Sequence, residues 1–319
     1  MSEARQKTVP VELAGQRLDQ ALAKMFPEYS RSRLKSWLLK GFITVDDGAR
    51  RPRDAVEGGE SICLVPEAEV LLDSEPEAID LDIVFEDEHC LVINKPAGLV
   101  VHPGAGNPRG TLMNGLLHYR ADLEKLPRAG IVHRLDKDTS GLLLVAKTLE
   151  AHTSLTLALS QKRILRHYLA VCNGVLTGGG TIDEAIGRHR VDRLKMCVRE
   201  DGKPAVTHYR VIERFAAHTY ISVQLETGRT HQIRVHFAHR RHALVGDRTY
   251  GGRLAIPAGA SARLSETLRQ FDRQALHANR IEFLHPANQQ AIEVQAEPPA
   301  DFSALLEALT EDLKLRKPA

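Results

Sequence analysis

Cysteine is scarce and never clustered. Cys63, Cys90, Cys172 and Cys197 stand far apart, with no C-x-x-C pair. That spacing excludes a thiolate zinc knuckle and leaves reduced thiols, as in a cytoplasmic protein, as the expectation. No run of about 18 apolar residues exists, so no membrane span is expected. The opening residues, MSEARQKTVPVEL, lack the apolar stretch of a signal peptide. A strong net charge is missing too: 43 Lys and Arg face 41 Asp and Glu, a balance of +2 that alone points to no polyanionic partner. Internal repeats are absent. What is present is an ordinary globular composition, 43% hydrophobic and 26% charged, which can bury a core. The 319 residues correspond to about two domains.

The small net charge hides an uneven distribution. Residues 31–53 carry Arg31, Arg33, Lys35, Lys40, Arg50, Arg51 and Arg53 against Asp46 and Asp47. Residues 67–88 are acidic, and a second basic stretch runs from Lys162 through Arg166, Arg188, Arg190, Arg193 and Lys195 to Arg199. Clustered cations on one element are the footprint of a phosphate-binding face, whereas a single cluster is more often plain solvated surface.

The front of the chain reads as a small helix–helix–hairpin unit over residues 1–65. Leu18, Leu22 and Met25 have helical spacing in residues 15–26. A second helix is predicted over 30–41, with Ser30 as N-cap and Gly41 as its stop. Its Leu34, Trp37 and Leu38 form an apolar stripe, with Arg31, Arg33 and Lys35 placed elsewhere. FITVDDGARR reads as a strand followed by a DG turn. Residues 66–78, acidic and holding Pro66 and Pro76, read as a linker. Residues 79–319 form the second predicted domain. It has short β-like runs (LDIVF, CLVINK, GLLLVAK, HYLAVC, THYRVIERF, TYISVQLE) with helical patterns between them and at the C-terminus. Strands without regular strand–helix alternation give an α+β class: a mixed, mainly antiparallel sheet with flanking helices.

The chemistry concentrates in GIVHRLDKDTSGLLLVAKT, residues 130–148. Asp136 and Asp138 imitate two motifs and fit neither. The D-x-D-x-T of magnesium phosphotransferases follows an apolar strand, and here His133, Arg134 and Leu135 precede the acid. An EF-hand loop requires a bidentate Glu at its twelfth position, and that position is Lys147. An Asx-type turn accounts for Asp138, Thr139 and Ser140 but not for Asp136. In extended chain, residues two apart share a face, so Arg134 and Asp136 point the same way. A cation beside an Asp favours its ionised form, which suits a nucleophile or a base.

A second constellation is LETGRTHQIRVHFAHR, residues 225–240. Gly228 permits a tight turn, Thr230 is the expected cap of the following helix, and Arg229 sits at the junction. His231, His236, His239 and His242 suggest zinc, but no acid or cysteine accompanies them and no H-E-x-x-H spacing occurs. HPGAGNPRG, residues 102–110, misses the dinucleotide glycine pattern by one residue and reads as a plain loop.

Taken in order, NKPAGLVVHPG, HRLDKDTSGLLLVAKT, RHYLAV, LETGRTHQIRVH, GDRTYGG and RQALHA resemble the RluA family of pseudouridine synthases, and the front unit resembles an S4 RNA-binding domain. The front unit departs from the usual VNG turn with Val45-Asp46-Asp47-Gly48. The resemblance covers nearly the whole chain. It implies a pseudouridine synthase fold after an S4-like domain, acting as a cytoplasmic monomer without metal or small-molecule cofactor. The reaction it implies breaks the N1–C1′ bond of an RNA uridine and rejoins the base through C5. Asp136 matches the essential aspartate and Arg229 the arginine that pairs with it. Tyr168 matches the tyrosine that stacks on the target base, and Arg134 a residue that fills the stack when the uridine flips out. Asn94, Lys95 and residues 246–252 match positions near the site, and Asn94 and Lys95 are expected to contact RNA. Arg31, Arg33 and Lys35 would contact phosphates. The implied partner is large-subunit ribosomal RNA, at the stem-loop called helix 69. The rivals are another ribosomal or transfer RNA site and a non-catalytic RNA-binding protein.

Overall fold

The structure, a computed structural model, describes residues 5–27, 29, 31–65, 75–104 and 106–316, without the side chains of Ser32 and Arg33. It forms two compact units, residues 1–73 and 74–319. The predicted linker over 66–78 falls largely outside the described residues, as does the predicted cap Ser30.

In the first unit, β1 (Arg5–Thr8), β2 (Ile43–Val45) and β3 (Ser61–Leu64) make an antiparallel sheet in the order β1-β3-β2. Two helices, α1 (Leu18–Met25) and α2 (Arg31–Leu39), share its core. Leu18, Ala21, Leu22 and Met25 recur at three- and four-residue intervals, so one stripe of α1 is buried. Leu34, Trp37 and Leu38 do the same for α2. Each large side chain buried here contributes roughly 1.5–3 kcal/mol, and a charge at Leu22 would dismantle the cluster. Gly41, at φ 83°, ends α2 in the left-handed conformation that glycine adopts without strain. The tight turn after β2 differs from the expected DG turn by one residue, and the strand that pairs with β2, β3, starts only at Ser61 rather than directly after the turn. The turn's left-handed pair is Asp46 and Asp47 (φ 50° and 59°), closed by Val45 and Gly48. Asp tolerates this conformation, and Asp46 Oδ1 also accepts the Ser61 amide at 2.8 Å.

The second unit is built on one nine-stranded sheet. Its first half holds β4 (Ile83–Glu86), β5 (Cys90–Lys95), α3 (Leu112–Tyr119), β6 (Ser140–Ala146), α4 (Leu149–Ser160) and β7 (Leu165–Asn173). There follow β8 (Gly180–Asp183), a separate hairpin of β9 (Ile186–Arg188) and β10 (Met196–Val198), then β11 (Val206–Arg214) and β12 (His218–Leu225). The chain closes with α5 (Gln232–His239), α6 (Ala262–Gln270), β13 (Leu276–Leu284), β14 (Ala291–Gln295) and α7 (Ala300–Arg316). The strand order is β4-β5-β6-β13-β7-β12-β11-β8, with β14 on β13. Every pairing is antiparallel except β6 with β13. Among the described residues, no helix is long and apolar enough to cross a membrane.

All seven residues of β6 are buried, as expected for a continuous apolar run in mid-sheet. At its parallel seam, a Cβ on Gly141 would lie 2.2 Å from the Ala278 carbonyl, so only glycine fits there. β13 breaks register between His277 and Arg280, opposite Tyr168 of β7. Such bulges sit beside functional sites because they re-aim the chain. The sequence reading left out β1 of the first unit and β8, β9, β10, β13, β14 and α6 of the second. Most are too short for a period to register, and β13 carries His277, Asn279 and Arg280 where alternation would need apolar residues.

Candidate active site

Asp136 lies on the short segment that leads into β6. The Thr139 amide donates to its backbone carbonyl at 3.1 Å, closing a turn that delivers the chain to Ser140. The predicted alternation holds: Leu135 is buried, whereas Arg134 is exposed and Asp136 half-buried. His133 turns inward and accepts the Leu144 amide on Nε2 at 3.0 Å.

The guanidinium that meets Asp136 is Arg234, not Arg229. Arg234 Nη1 donates to Asp136 Oδ2 at 2.9 Å. Its Nε and Nη2 hold both oxygens of Asp247, at 2.7 and 2.9 Å. Arg229 points elsewhere, with Nε donating to the Pro204 carbonyl at 3.1 Å. The cause is local. Gln232, rather than Thr230, organises the start of α5: its Oε1 accepts the Arg229 amide and the Thr227 hydroxyl, while its Nε2 donates to Val206 and Thr207. That fixes the turn residues outward and sets Arg234, in the first turn of α5, inward. Burial works against the Arg234 charge, but the hydrogen bonds and charges of Asp247 and then Asp136 outweigh it and hold its pKa above the ordinary arginine value. Two backbone amides, of Thr249 and Tyr250, also donate to Asp247.

The Asp136 side chain is 16% exposed, against 7% for Arg234 and 0% for Asp247. It stands between two hollows. One is lined by Arg134, Asp136, Thr139, Arg166, Tyr168, Arg229, His231 and Arg234, with Leu225, Ile233 and Leu276 as apolar walls. The other is lined by His102, Pro103, Gly104 and Asn107 of the loop read as plain, again with Arg134, Asp136, His231 and Arg234. A third begins at Gly228, Arg229 and Thr230 and runs under the β9–β10 hairpin past Arg188, Arg199 and Lys203. Asp136, Tyr168, Arg229 and Arg134, chosen from sequence, thus line one hollow. Tyr168 projects from β7 opposite the bulge. Burial, reinforced by Asp136 and opposed by Arg166, pushes its phenol pKa up, so it stays protonated at neutral pH.

Lys95 requires a correction. It is 0% exposed and cannot reach RNA. Its Nζ donates to the carbonyls of Pro96, Leu99 and Lys137 at 2.7, 2.9 and 2.9 Å. Those bonds tie the NKPAG turn to the residue after Asp136. Burial pulls its pKa down to about 7, against Asp138 and Asp136, while three carbonyl acceptors match the three N–H donors of the charged form. Asn94 donates to Asp82 at 2.9 Å and lines none of these hollows. In the first unit Arg31 is engaged with Asp19 at 2.7 Å. Lys35 is exposed, and the Arg33 side chain lies outside the described residues.

Sequence reasoning passed over Arg234, weighed His231 only as a zinc ligand, counted Arg166 only in a basic stretch, and held Asp247 and Tyr250 only within residues 246–252, without a role. One signal was available for Arg234: it stands between Ile233 and Val235 in a helix whose neighbours are nearly all buried, where a cation needs a partner. Among the described residues, one group has metal-ligating side chains, Asp87, Cys90 and His285, at the far end of β5 from Lys95. Burial pushes the Cys90 thiol up to about 12, helped by Asp87, and His285 Nε2 already pairs with Asp87 at 2.8 Å. A protonated thiol and an engaged imidazole make poor ligands.

Residues 89–239 match the family described as RNA pseudouridylate synthase. A protein named ribosomal large subunit pseudouridine synthase D from Pseudomonas aeruginosa is 56% identical, covering 97% of this chain and 96% of its own length. Its namesake from Xylella fastidiosa strain Temecula1 is 54% identical over 98% of this chain and 94% of its own. The solved structure of human RNA pseudouridylate synthase domain containing 1 is 28% identical, with a TM-score of 0.54, covering 70% of this chain and 85% of that one.

Proposed function

Because this chain belongs to the RNA pseudouridylate synthase family, in its RluA branch, we propose that it isomerises uridines of large-subunit ribosomal RNA to pseudouridine, with Asp136 as the reacting group. The observation that carries the reading is the state of one carboxylate. Asp136 Oδ2 is held by Arg234 while Oδ1 takes no hydrogen bond from the described residues, and the residue lines a hollow together with Tyr168.

The isomerisation breaks N1–C1′, forms C5–C1′, releases the C5 proton and places one on N1. Atoms and electrons balance within the nucleotide. Asp136 begins it by attacking C1′ or by taking the C2′ proton, and either role calls for a rigid carboxylate with one open oxygen. Arg234 fixes the plane of that carboxylate, and Asp247 fixes Arg234. The Tyr168 ring offers a face on which the detached uracil can stack while it turns. Arg134, exposed beside both hollows, is suited to occupy the gap left in the stack, offsetting part of the few kcal/mol that flipping costs.

In this reading the first unit is an S4-like module that grips phosphates through its cationic helix, with Lys35 as the exposed contact, and positions rather than reads the RNA. Helix 69 of large-subunit RNA is the proposed target, reached in the cytoplasm. A non-catalytic RNA-binding protein would have no use for an open, buttressed carboxylate. Asp136→Asn tests the assignment: pseudouridine formation on a helix 69 stem-loop should cease while RNA binding persists, and substantial turnover by the variant would refute it. Mapping pseudouridines in ribosomal RNA from a strain lacking the protein tests the target, which is wrong if that stem-loop stays fully modified.

A further inference from the structure

His231 is part of the site yet has no task in the chemistry described above. It precedes α5 at φ 58° and ψ 21°, a left-handed conformation that few non-glycine residues adopt. Its Nδ1 lies 2.8 Å from Tyr250 Oη. Tyr250 Oη also accepts the Met196 amide at 2.9 Å. A phenol has one proton to donate, and since His231 Nδ1 is the one acceptor within hydrogen-bond reach of Tyr250 Oη among the described residues, that proton goes to Nδ1. The imidazole is therefore the tautomer with its hydrogen on Nε2. The two rings meet edge to face at 5.6 Å, and the Arg234 guanidinium packs over the Tyr250 ring at 5.1 Å, so neither can swing away. Burial, with Arg234 and Arg134, holds the imidazole pKa below its usual value against Asp136 and Asp247, which keeps the ring neutral.

The free Nε2–H faces Asp136 Oδ1 across 3.9 Å. That is too long for a direct hydrogen bond and right for one oxygen about 2.8 Å from each. The occupant must accept from Nε2–H and donate to a carboxylate; a water can do this, and so can a substrate hydroxyl that displaces it. Since the reacting oxygen has to approach C1′ or C2′, the hydroxyl beside it is the ribose 2′-OH. We propose that His231 Nε2–H and Asp136 Oδ1 together hold the 2′-hydroxyl of the target uridine, so that His231 determines ribose specificity, with Tyr250 as the positioning residue that sets its tautomer. This rests on the pseudouridine synthase reading. It also links catalysis to the hairpin above, because Met196 begins β10.

The test pairs two RNAs, a stem-loop with one target uridine and the same stem-loop with 2′-deoxyuridine there. Each is assayed for Kd by competition and for single-turnover rate with wild type, His231→Ala, His231→Gln and Tyr250→Phe, whose melting curves report folding. Wild type should prefer the ribose by about five- to ten-fold, the scale of one hydrogen bond. His231→Ala should lose that preference, behaving like wild type on the deoxy RNA. His231→Gln, which keeps an N–H donor, should recover part of it, and Tyr250→Phe should fall between. If His231→Ala lowers both RNAs by the same factor, or wild type does not discriminate, the proposal is overturned. Kd decides where the deoxy RNA does not turn over. A wild type that converts no uridine in the plain stem-loop would instead overturn the function it rests on.

Discussion

Asp19 in the first unit and Asp136 in the second are both held by arginine, and the difference between them separates scaffold from chemistry. Asp19 in α1 takes four hydrogen bonds, two each from Arg17 and Arg31. One acid is served by two cations, and both its oxygens are engaged. At Asp136 the ratio is inverted: one cation, Arg234, is divided between two acids. Asp247 takes the bidentate grip, and Asp136 is left with one bond and one open oxygen. A saturated carboxylate stabilises a fold, whereas a half-satisfied one beside a hollow stores reactivity.

Substitutions can break that contrast. Asp136→Asn should cost the most activity, on the order of 10³-fold or more in single-turnover rate, with a melting temperature near that of wild type. Arg234→Met comes next. It frees Asp136 and strands Asp247, 0% exposed, so about 3 kcal/mol or more of stability should be lost along with roughly 100-fold in rate; calorimetry and the rate assay should move together. Asp19→Ala should affect stability alone. Its two arginines are 43% and 48% exposed, so the loss is about 1–2 kcal/mol after solvent screening, and a drop in turnover at saturating RNA would contradict its structural role. The same residue sets a pH dependence. Burial opposes the Asp19 charge, but Arg31 and Arg17 prevail and hold its pKa below the ordinary 3.8. The unfolded chain therefore binds the proton first, so this contribution is complete above pH 3.8 and fades as pH falls through the lower folded value. Denaturant melts at decreasing pH should lose this increment in wild type and not in Asp19→Ala. Arg229→Ala should show the smallest effect: RNA affinity a few-fold weaker, a salt slope shallower by about one phosphate, and an unchanged rate at saturation. A collapse in rate would restore Arg229 to the catalytic place that the sequence suggested.

Part of the site was legible in unusual local sequence, while Tyr168, in an ordinary-looking strand, was marked only by the family resemblance. Asp136 stands out between Arg134 and Lys137 before an apolar run, and the remote segment holding its partner stands out by its turn. What failed was resolution within that turn. Arg229 and Arg234 are five residues apart, and only the side chain of Gln232, folding back on the Arg229 amide, decides which one faces inward. Lys95 misled for a related reason: a lysine ending a strand usually reaches water, and this one finds three carbonyls instead. Strands that repeat an apolar alternation, such as β12, were visible. β13 was not, since its bulge and polar residues follow the needs of its neighbours, which no local period records.

That hidden strand has a consequence for when the protein becomes able to work. β13 lies between β6 and β7, the strands beside Asp136 and bearing Tyr168, and Ser140 meets His277 across 137 positions of sequence. A chain emerging from the ribosome cannot assemble this centre until nearly the whole polypeptide has been made. Closure over such a span is slow, and a product truncated before β13 would be mute, however faithfully its earlier parts had folded.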